Sequence, residues 1–124
     1  MLLLDTSFLV EYERELSENR MGAARRFLST RDHKEHVALS LITLGEFAEG
    51  FETPAEAEGF LSAFHIVQLS RAIVYKAASM QTKLPQRLGE NDAWIAATAL
   101  VYDADLVGRE NAFKRVPHLK YKPF

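Results

Sequence analysis

The amino-acid sequence predicts an α/β fold, with a short, mostly parallel sheet of four or five strands and helices on both faces, in one domain over residues 1–124. Three observations predict it. Short apolar runs alternate with stretches whose apolar residues recur at helical spacing. The connections are short, and no repeat, linker or low-complexity tract interrupts them. A length of 124 residues suffices for one hydrophobic core and leaves no room for a second domain.

Leu2-Leu3-Leu4 reads as a buried strand. Thr6 to Arg14 reads as a short helix with Phe8, Leu9 and Tyr12 on one side, and Glu18 to Ser29 as a second carrying Met21, Ala24, Phe27 and Leu28. The charged run from Arg31 to His36 is a surface connection. Val37 to Leu39 is the second strand, and Ser40 or Thr43 offers a cap for a helix whose stripe is Leu44, Phe47, Ala48 and Phe51. Thr53-Pro54 is a helix start with proline at the first position, followed by Ala57, Phe60, Leu61 and Phe64. Ile66 to Leu69 alternates as the third strand, and Ser70 caps a helix to about Leu84. Pro85 to Gly89 is a loop, Asn91 caps a helix to about Tyr102, and Asp105-Leu106-Val107 is the fourth strand. The tail ends near Tyr121.

Composition narrows the function classes. Hydrophobic residues make up 48% and charged residues 26%, as in soluble globular proteins. No apolar run approaches the roughly 20 residues of a membrane span. The leucine run lacks a basic leader and a cleavage site. With no cysteine there is neither a disulfide framework nor a thiolate zinc site, and the histidines show no metal-ligand spacing. These features point to a cytoplasmic protein without membrane attachment. The 15 basic and 17 acidic residues argue against gripping nucleic acid by bulk electrostatics, but leave local or metal-mediated contact open.

Four acids stand out, each with an ordinary alternative. Asp5 follows the first strand directly, where open α/β sheets build sites, yet it or Thr6 could simply cap the next helix. Asp92 shares a helical face with Ile95, Ala96, Ala99 and Leu100, so it heads a stripe that should face the core. Its alternative is a first-turn acid favoured by the helix dipole. Glu46 flanks an apolar stripe beside Gly45, a poor helix former, which suggests a close approach to the backbone. Alone it reads better as a solvated glutamate on the helix edge. Glu110 lies just past the fourth strand, or opens a short helix reaching Lys114.

Four acids from four segments exceed what capping needs, and a parallel sheet would bring them to one edge. Clustered carboxylates repel one another unless a cation intervenes. For an oxygen-only cluster that cation is Mg²⁺ or Mn²⁺, held by one or two carboxylates and by waters. Such an ion supplies an activated water and offsets charge on a phosphate, which suggests phosphodiester hydrolysis.

These segments resemble the PIN-domain nucleases, most closely the small VapC-type toxins of toxin–antitoxin pairs. The resemblance runs along nearly the whole chain. It rests on Leu3-Leu4-Asp5-Thr6-Ser7, Leu39 to Gly50 around Glu46, Asn91-Asp92 to Leu100, and Leu106 to Phe113 with Val116 to Leu119. It implies a PIN-like three-layer fold and a ribonuclease using Mg²⁺ or Mn²⁺, with Asp5, Glu46, Asp92 and Glu110 as catalytic, metal-site acids. By the same resemblance Ser7 supports Asp5 or a bound water, with Thr6 beside it, and Asn91 does so near Asp92. The implied partners are RNA, a VapB-type antitoxin docking near the site, and a second copy in a homodimer. An antitoxin arginine inserted among the acids would gain charge-assisted hydrogen bonds and block the metal. Two departures touch the fourth position. Glu110 stands where the family often has aspartate, and Gly108 where a small hydroxyl residue is common.

Arg109, beside Glu110, is the basic residue placed to contact phosphate; Lys83, Arg87, Lys114, Arg115, Lys120 and Lys122 read as surface charge. Phe47 with Phe51 and Phe60 with Phe64 recur at i, i+4, more apolar surface than so small a domain readily buries, which favours a dimer through those helices. Competing functions are a catalytically inactive binding module of the same fold and a PIN nuclease of another RNA-processing pathway. A haloacid-dehalogenase-type phosphatase fits poorly, since it wants a second aspartate where Ser7 stands.

Overall fold

β1 (Leu2–Leu4) is buried on both faces, which explains a strand without polar alternation. It forms the centre of a five-stranded sheet in a computed structural model that describes residues Met1–Phe124. The strands follow as β2 (Val37–Ser40), β3 (His65–Val67), β4 (Asp105–Gly108) and β5 (Lys120–Pro123), in the spatial order β3-β2-β1-β4-β5. Every neighbouring pair is parallel.

Between the strands lie α1 (Thr6–Ser17), α2 (Ala23–Ser29), α3 (Leu41–Ala48), α4 (Pro54–Leu61), α5 (Arg71–Lys83) and α6 (Glu90–Val101), with a 3₁₀ turn at Asn111–Arg115. Side chains alternate across the sheet. Leu3, Ala38 and Leu106 join the core formed with α5 and α6, while Leu2, Leu4, Leu39 and Val107 join the core beneath α1 to α4. The chain runs outward from β1 through β2 to β3, then crosses to the other side of β1 to form β4. This reversal makes a topological switch point at the C-terminal ends of β1 and β4, where ligand crevices form in open α/β sheets.

Several elements differ from the sequence expectation. α1 continues to Ser17 rather than ending at Arg14, and the second helix begins at Ala23 rather than Glu18, leaving Met21 exposed outside it. Asn19 takes a left-handed φ of 50°, a conformation asparagine tolerates better than most residues, and breaks the helical run. Asn91 is not a cap; Gly89 occupies that position and α6 starts at Glu90. The third strand is His65–Val67 rather than Ile66 to Leu69. Ser40, not Thr43, caps α3 by accepting from the Ile42 N–H at 3.1 Å. The phenylalanines read as a dimer face pack on one another. Phe47 and Phe60 lie 5.2 Å apart, Phe47 and Phe51 5.3 Å, and Phe60 and Phe64 5.7 Å, within the α1 to α4 core. Phe47 is buried, whereas Phe51, Phe60 and Phe64 stay half-buried. No helix is long and apolar enough to cross a membrane.

Candidate active site

Asp5 leaves β1 at the switch point and is the N-cap of α1, its Oδ1 accepting from the Phe8 N–H at 2.9 Å. The same oxygen accepts from the Ser7 hydroxyl at 2.6 Å, and Ser7 Oγ accepts in turn from the Arg109 N–H at 3.0 Å. Capping and site placement are thus both true of Asp5. Its Oδ2 is buried and has no hydrogen-bond partner, in a residue only 2% exposed. A buried carboxylate oxygen normally has a donor, so this one is an opening for a ligand.

Gly108 explains how that carboxylate fits. A Cβ built on Gly108 would fall inside the Asp5 carboxyl group. The departure from a hydroxyl residue at this position therefore has a steric consequence: the side chain missing from β4 is the space that Asp5 fills. Gly45, by contrast, has nothing within 4 Å of where a Cβ would stand, which removes the close approach expected beside Glu46.

The other acids converge from separate elements. Glu46 on α3 accepts from Thr6 Oγ1 at 2.6 Å and from Asn91 Nδ2 at 3.2 Å, so both of its oxygens are held. Asp92 sits half-buried in the first turn of α6, and Glu110 is exposed just after β4. Together Asp5, Thr6, Ser7, Glu46, Asp92 and Glu110 line one pocket of about 60 Å³, floored by Ile95 and Phe113. Asn91 lines an open recess beside it with Glu46 and Asp92.

The electrostatics follow from this crowding. Burial pushes the Asp5 carboxyl up to about 6; the Ser7 and Phe8 hydrogen bonds oppose that rise, and the charges of Glu110 and Asp92 add to it. Asp92 is also raised, first by burial, then by Glu110 and Glu46. Two acids that resist losing their protons in one pocket are poised for a cation. No trio of Asp, Glu or His side chains is grouped tightly enough to enclose a metal by itself. The donor set still fits Mg²⁺ or Mn²⁺, which take one or two carboxylates and complete their shell with waters. The unpartnered Asp5 Oδ2 is the best-placed direct ligand.

Arg109 does not reach the pocket with its side chain. Its guanidinium lies 4.1 Å from the centroid of the Phe124 ring, and Nε donates to the Phe124 carbonyl at 3.4 Å. Three more basic residues of the tail are also engaged, Lys120 with Asp103 and Lys122 with Asp105 at 2.9 Å each, and Arg115 with the Gln86 carbonyl at 2.9 Å.

A family model described as "PIN domain" matches residues 2–119. The chain belongs to the PIN domain family. Its PIN fold is similar to that in the structure of VapBC2 from Rickettsia felis bound to a promoter DNA fragment, at 24% identity and TM-score 0.81, covering 99% of this chain and 98% of that one. A toxin–antitoxin complex from Klebsiella pneumoniae matches at 26% identity and TM-score 0.72, covering 96% and 95%. VapC20 of Mycobacterium tuberculosis, a toxin that cleaves the sarcin–ricin loop, matches at 16% identity and TM-score 0.73, covering 99% and 100%. No curated protein sequence matches the chain.

Two residues of this PIN domain had no marked role in the sequence reading. Glu15 is fully buried near the end of α1, and the Tyr121 hydroxyl is buried without a partner.

Proposed function

We propose that this PIN domain is a divalent-metal-dependent endoribonuclease, the VapC-type toxin of a toxin–antitoxin pair, acting in the cytoplasm on RNA phosphodiesters. What supports the reading most is the convergence of four carboxylates from four segments on one pocket, around an Asp5 oxygen that no protein donor satisfies. The solved toxin–antitoxin complexes of the same fold support the cellular setting.

Asp5 and Asp92 would hold Mg²⁺ or Mn²⁺ directly. Glu46, fixed by Thr6 and Asn91, and the exposed Glu110 would hold the ion's waters by hydrogen bonds. When bound, the ion supplies an activated water and offsets negative charge on the scissile phosphate. Ser7 keeps Asp5 oriented through its bond to Oδ1. Ile95 and Phe113 give the pocket an apolar floor, which strengthens the electrostatics inside it. A VapB-type antitoxin would inhibit by placing an arginine among the acids. A homodimer through the helices that carry the half-buried Phe51, Phe60 and Phe64 remains part of the proposal.

The test is RNA cleavage by purified protein with Mg²⁺ or Mn²⁺, with EDTA, and with Asp92→Asn. Cleavage should need the ion and vanish in the variant. Full activity in purified Asp92→Asn protein would sink the assignment. Calorimetry showing no Mn²⁺ binding to the wild type would favour the inactive binding module.

A further inference from the structure

Two buried oxygens near the switch point lack hydrogen-bond partners, Asp5 Oδ2 and the Tyr121 hydroxyl. Tyr121 lies on β5 in register with Leu106 of β4, and its side chain packs into the core that Leu106 joins. Gly108 is two residues beyond Leu106 and so presents the same face of the sheet. The Asp5 carboxylate fills the place of the side chain Gly108 lacks. The Asp5 carboxylate and the Tyr121 ring therefore share one face of the sheet, close enough for the charge of Asp5 to act on the phenol.

Other contacts fix Tyr121 there. Its ring packs against Phe113 at 5.6 Å between centroids, and Phe113 floors the acid pocket. The hydroxyl faces the backbone of Glu110 without a well-formed hydrogen bond. Burial, then the negative charge of Asp5, pushes the phenol up to about 12 against the pull of that backbone, so Tyr121 is an O–H donor at any working pH. A neutral donor and an anionic acceptor, both buried and both unpaired, are complementary. Without a direct bond between them, one bridging water with Asp5, Tyr121 and Glu110 as polar neighbours satisfies both.

We propose that Tyr121 is a positioning residue of the metal site. Its hydroxyl donates to a buried water, and that water donates to Asp5 Oδ2. The carboxylate is thereby held with a remaining lone pair of Oδ2 directed into the pocket, towards the cation. Tyr121 itself touches neither metal nor RNA. The inference rests on the metal-site reading above and names the residue that orients its innermost ligand.

Tyr121→Phe removes one oxygen and keeps the ring on Phe113. Calorimetric titration with Mn²⁺, without RNA, should give affinity about tenfold weaker than wild type. Melting of the metal-free protein supplies a second readout through a double-mutant cycle with Asp5→Asn. Tyr121→Phe should lower the melting temperature by about 3 °C beside Asp5, and by clearly less beside Asn. Mn²⁺ affinity unchanged in Tyr121→Phe, or an equal melting shift in both backgrounds, overturns the role. If the wild type binds no Mn²⁺, the metal-site reading fails, while the melting cycle still decides whether Tyr121 and Asp5 are linked.

Discussion

Helix α1 carries a buried carboxylate near each end, and the two are treated in opposite ways. Glu15 is fully buried and accepts from the backbone N–H groups of Gly22 at 3.0 Å, Ala24 at 3.0 Å and Arg25 at 2.9 Å. It thereby supplies to α2 the cap that Gly22 cannot provide. Burial pushes its carboxyl up, but the three backbone bonds and nearby Arg20 outweigh that and hold it below the usual value. Asp5 has comparable burial, one satisfied oxygen and one bare one, and is pushed up to about 6. A satisfied buried acid holds the fold together. An unsatisfied one, beside three more acids, is left for something to bind.

The largest expected effect breaks the symmetry directly. Asp5→Asn should reduce RNA cleavage by at least about a hundredfold, because it replaces the oxygen proposed to hold the metal while keeping the cap on Phe8. Glu15→Ala should leave cleavage per folded molecule near wild type. It strands three N–H groups instead, two of them buried, costing on the order of 3 kcal/mol and about 10 °C of melting temperature. Activity and denaturation measured on both variants decide the contrast. Loss of cleavage in folded Glu15→Ala would refute it.

Next in size is pH. The folded-state value of Asp5 lies above its ordinary 3.8, so the folded protein binds that proton more tightly than the unfolded chain. The contribution of Asp5 to metal-free stability should therefore fall as pH rises from about 4 to about 6, by up to about 3 kcal/mol. Glu15 has the opposite sign. Its contribution is present above the ordinary glutamate value and is lost as pH falls through the lowered folded value. Denaturation against pH in wild type and Asp5→Asn isolates the first effect. The variant should be more stable above pH 6, and saturating Mg²⁺ should remove most of the difference. A parallel pair of curves would show that Asp5 is not strained.

The Asp5 side of this contrast is legible in the sequence and the Glu15 side is not, for a physical reason. An acid directly after an apolar run must sit at a strand end, and parallel connections gather strand ends at one edge. Asp5 and Glu110 follow from that logic, while Glu46 and Asp92 reach the same edge from helices α3 and α6. Glu15 bonds across seven to ten residues, over a helix break that Asn19 makes, and in the sequence it falls between two helical patterns, one ending at Arg14 and the next beginning at Glu18, where nothing local marks it as a cap. Gly45 and Gly108 show the same limit. Both are glycines beside a site acid, yet only Gly108 is sterically required, and only the fold reveals which. Asn91 resembled a cap because asparagine favours that position; its side chain instead reaches Glu46 from inside α6. The parallel sheet and its helices on both faces emerged as the alternating pattern implies, whereas β5, with polar, mostly exposed residues, left little apolar signal.

The smallest effect concerns how Asp5 is supported. Glu15 takes backbone N–H groups directly, whereas Asp5 takes one directly from Phe8 and a second relayed from Arg109 through the Ser7 hydroxyl. What matters at position 109 is then the backbone, not the guanidinium, which rests on Phe124. Arg109→Ala keeps the N–H and should change cleavage by no more than about threefold, the scale of a surface cation that only draws in the substrate. Ser7→Ala removes the relay and should cost more, about tenfold, with metal affinity weakened in step. Salt separates the two causes. A loss from Arg109→Ala that disappears at high ionic strength is long-range attraction, while one that persists marks direct phosphate contact. If Arg109→Ala costs as much as Ser7→Ala at every salt concentration, the guanidinium leaves Phe124 to bind substrate, and the backbone relay is not what holds Asp5 in place.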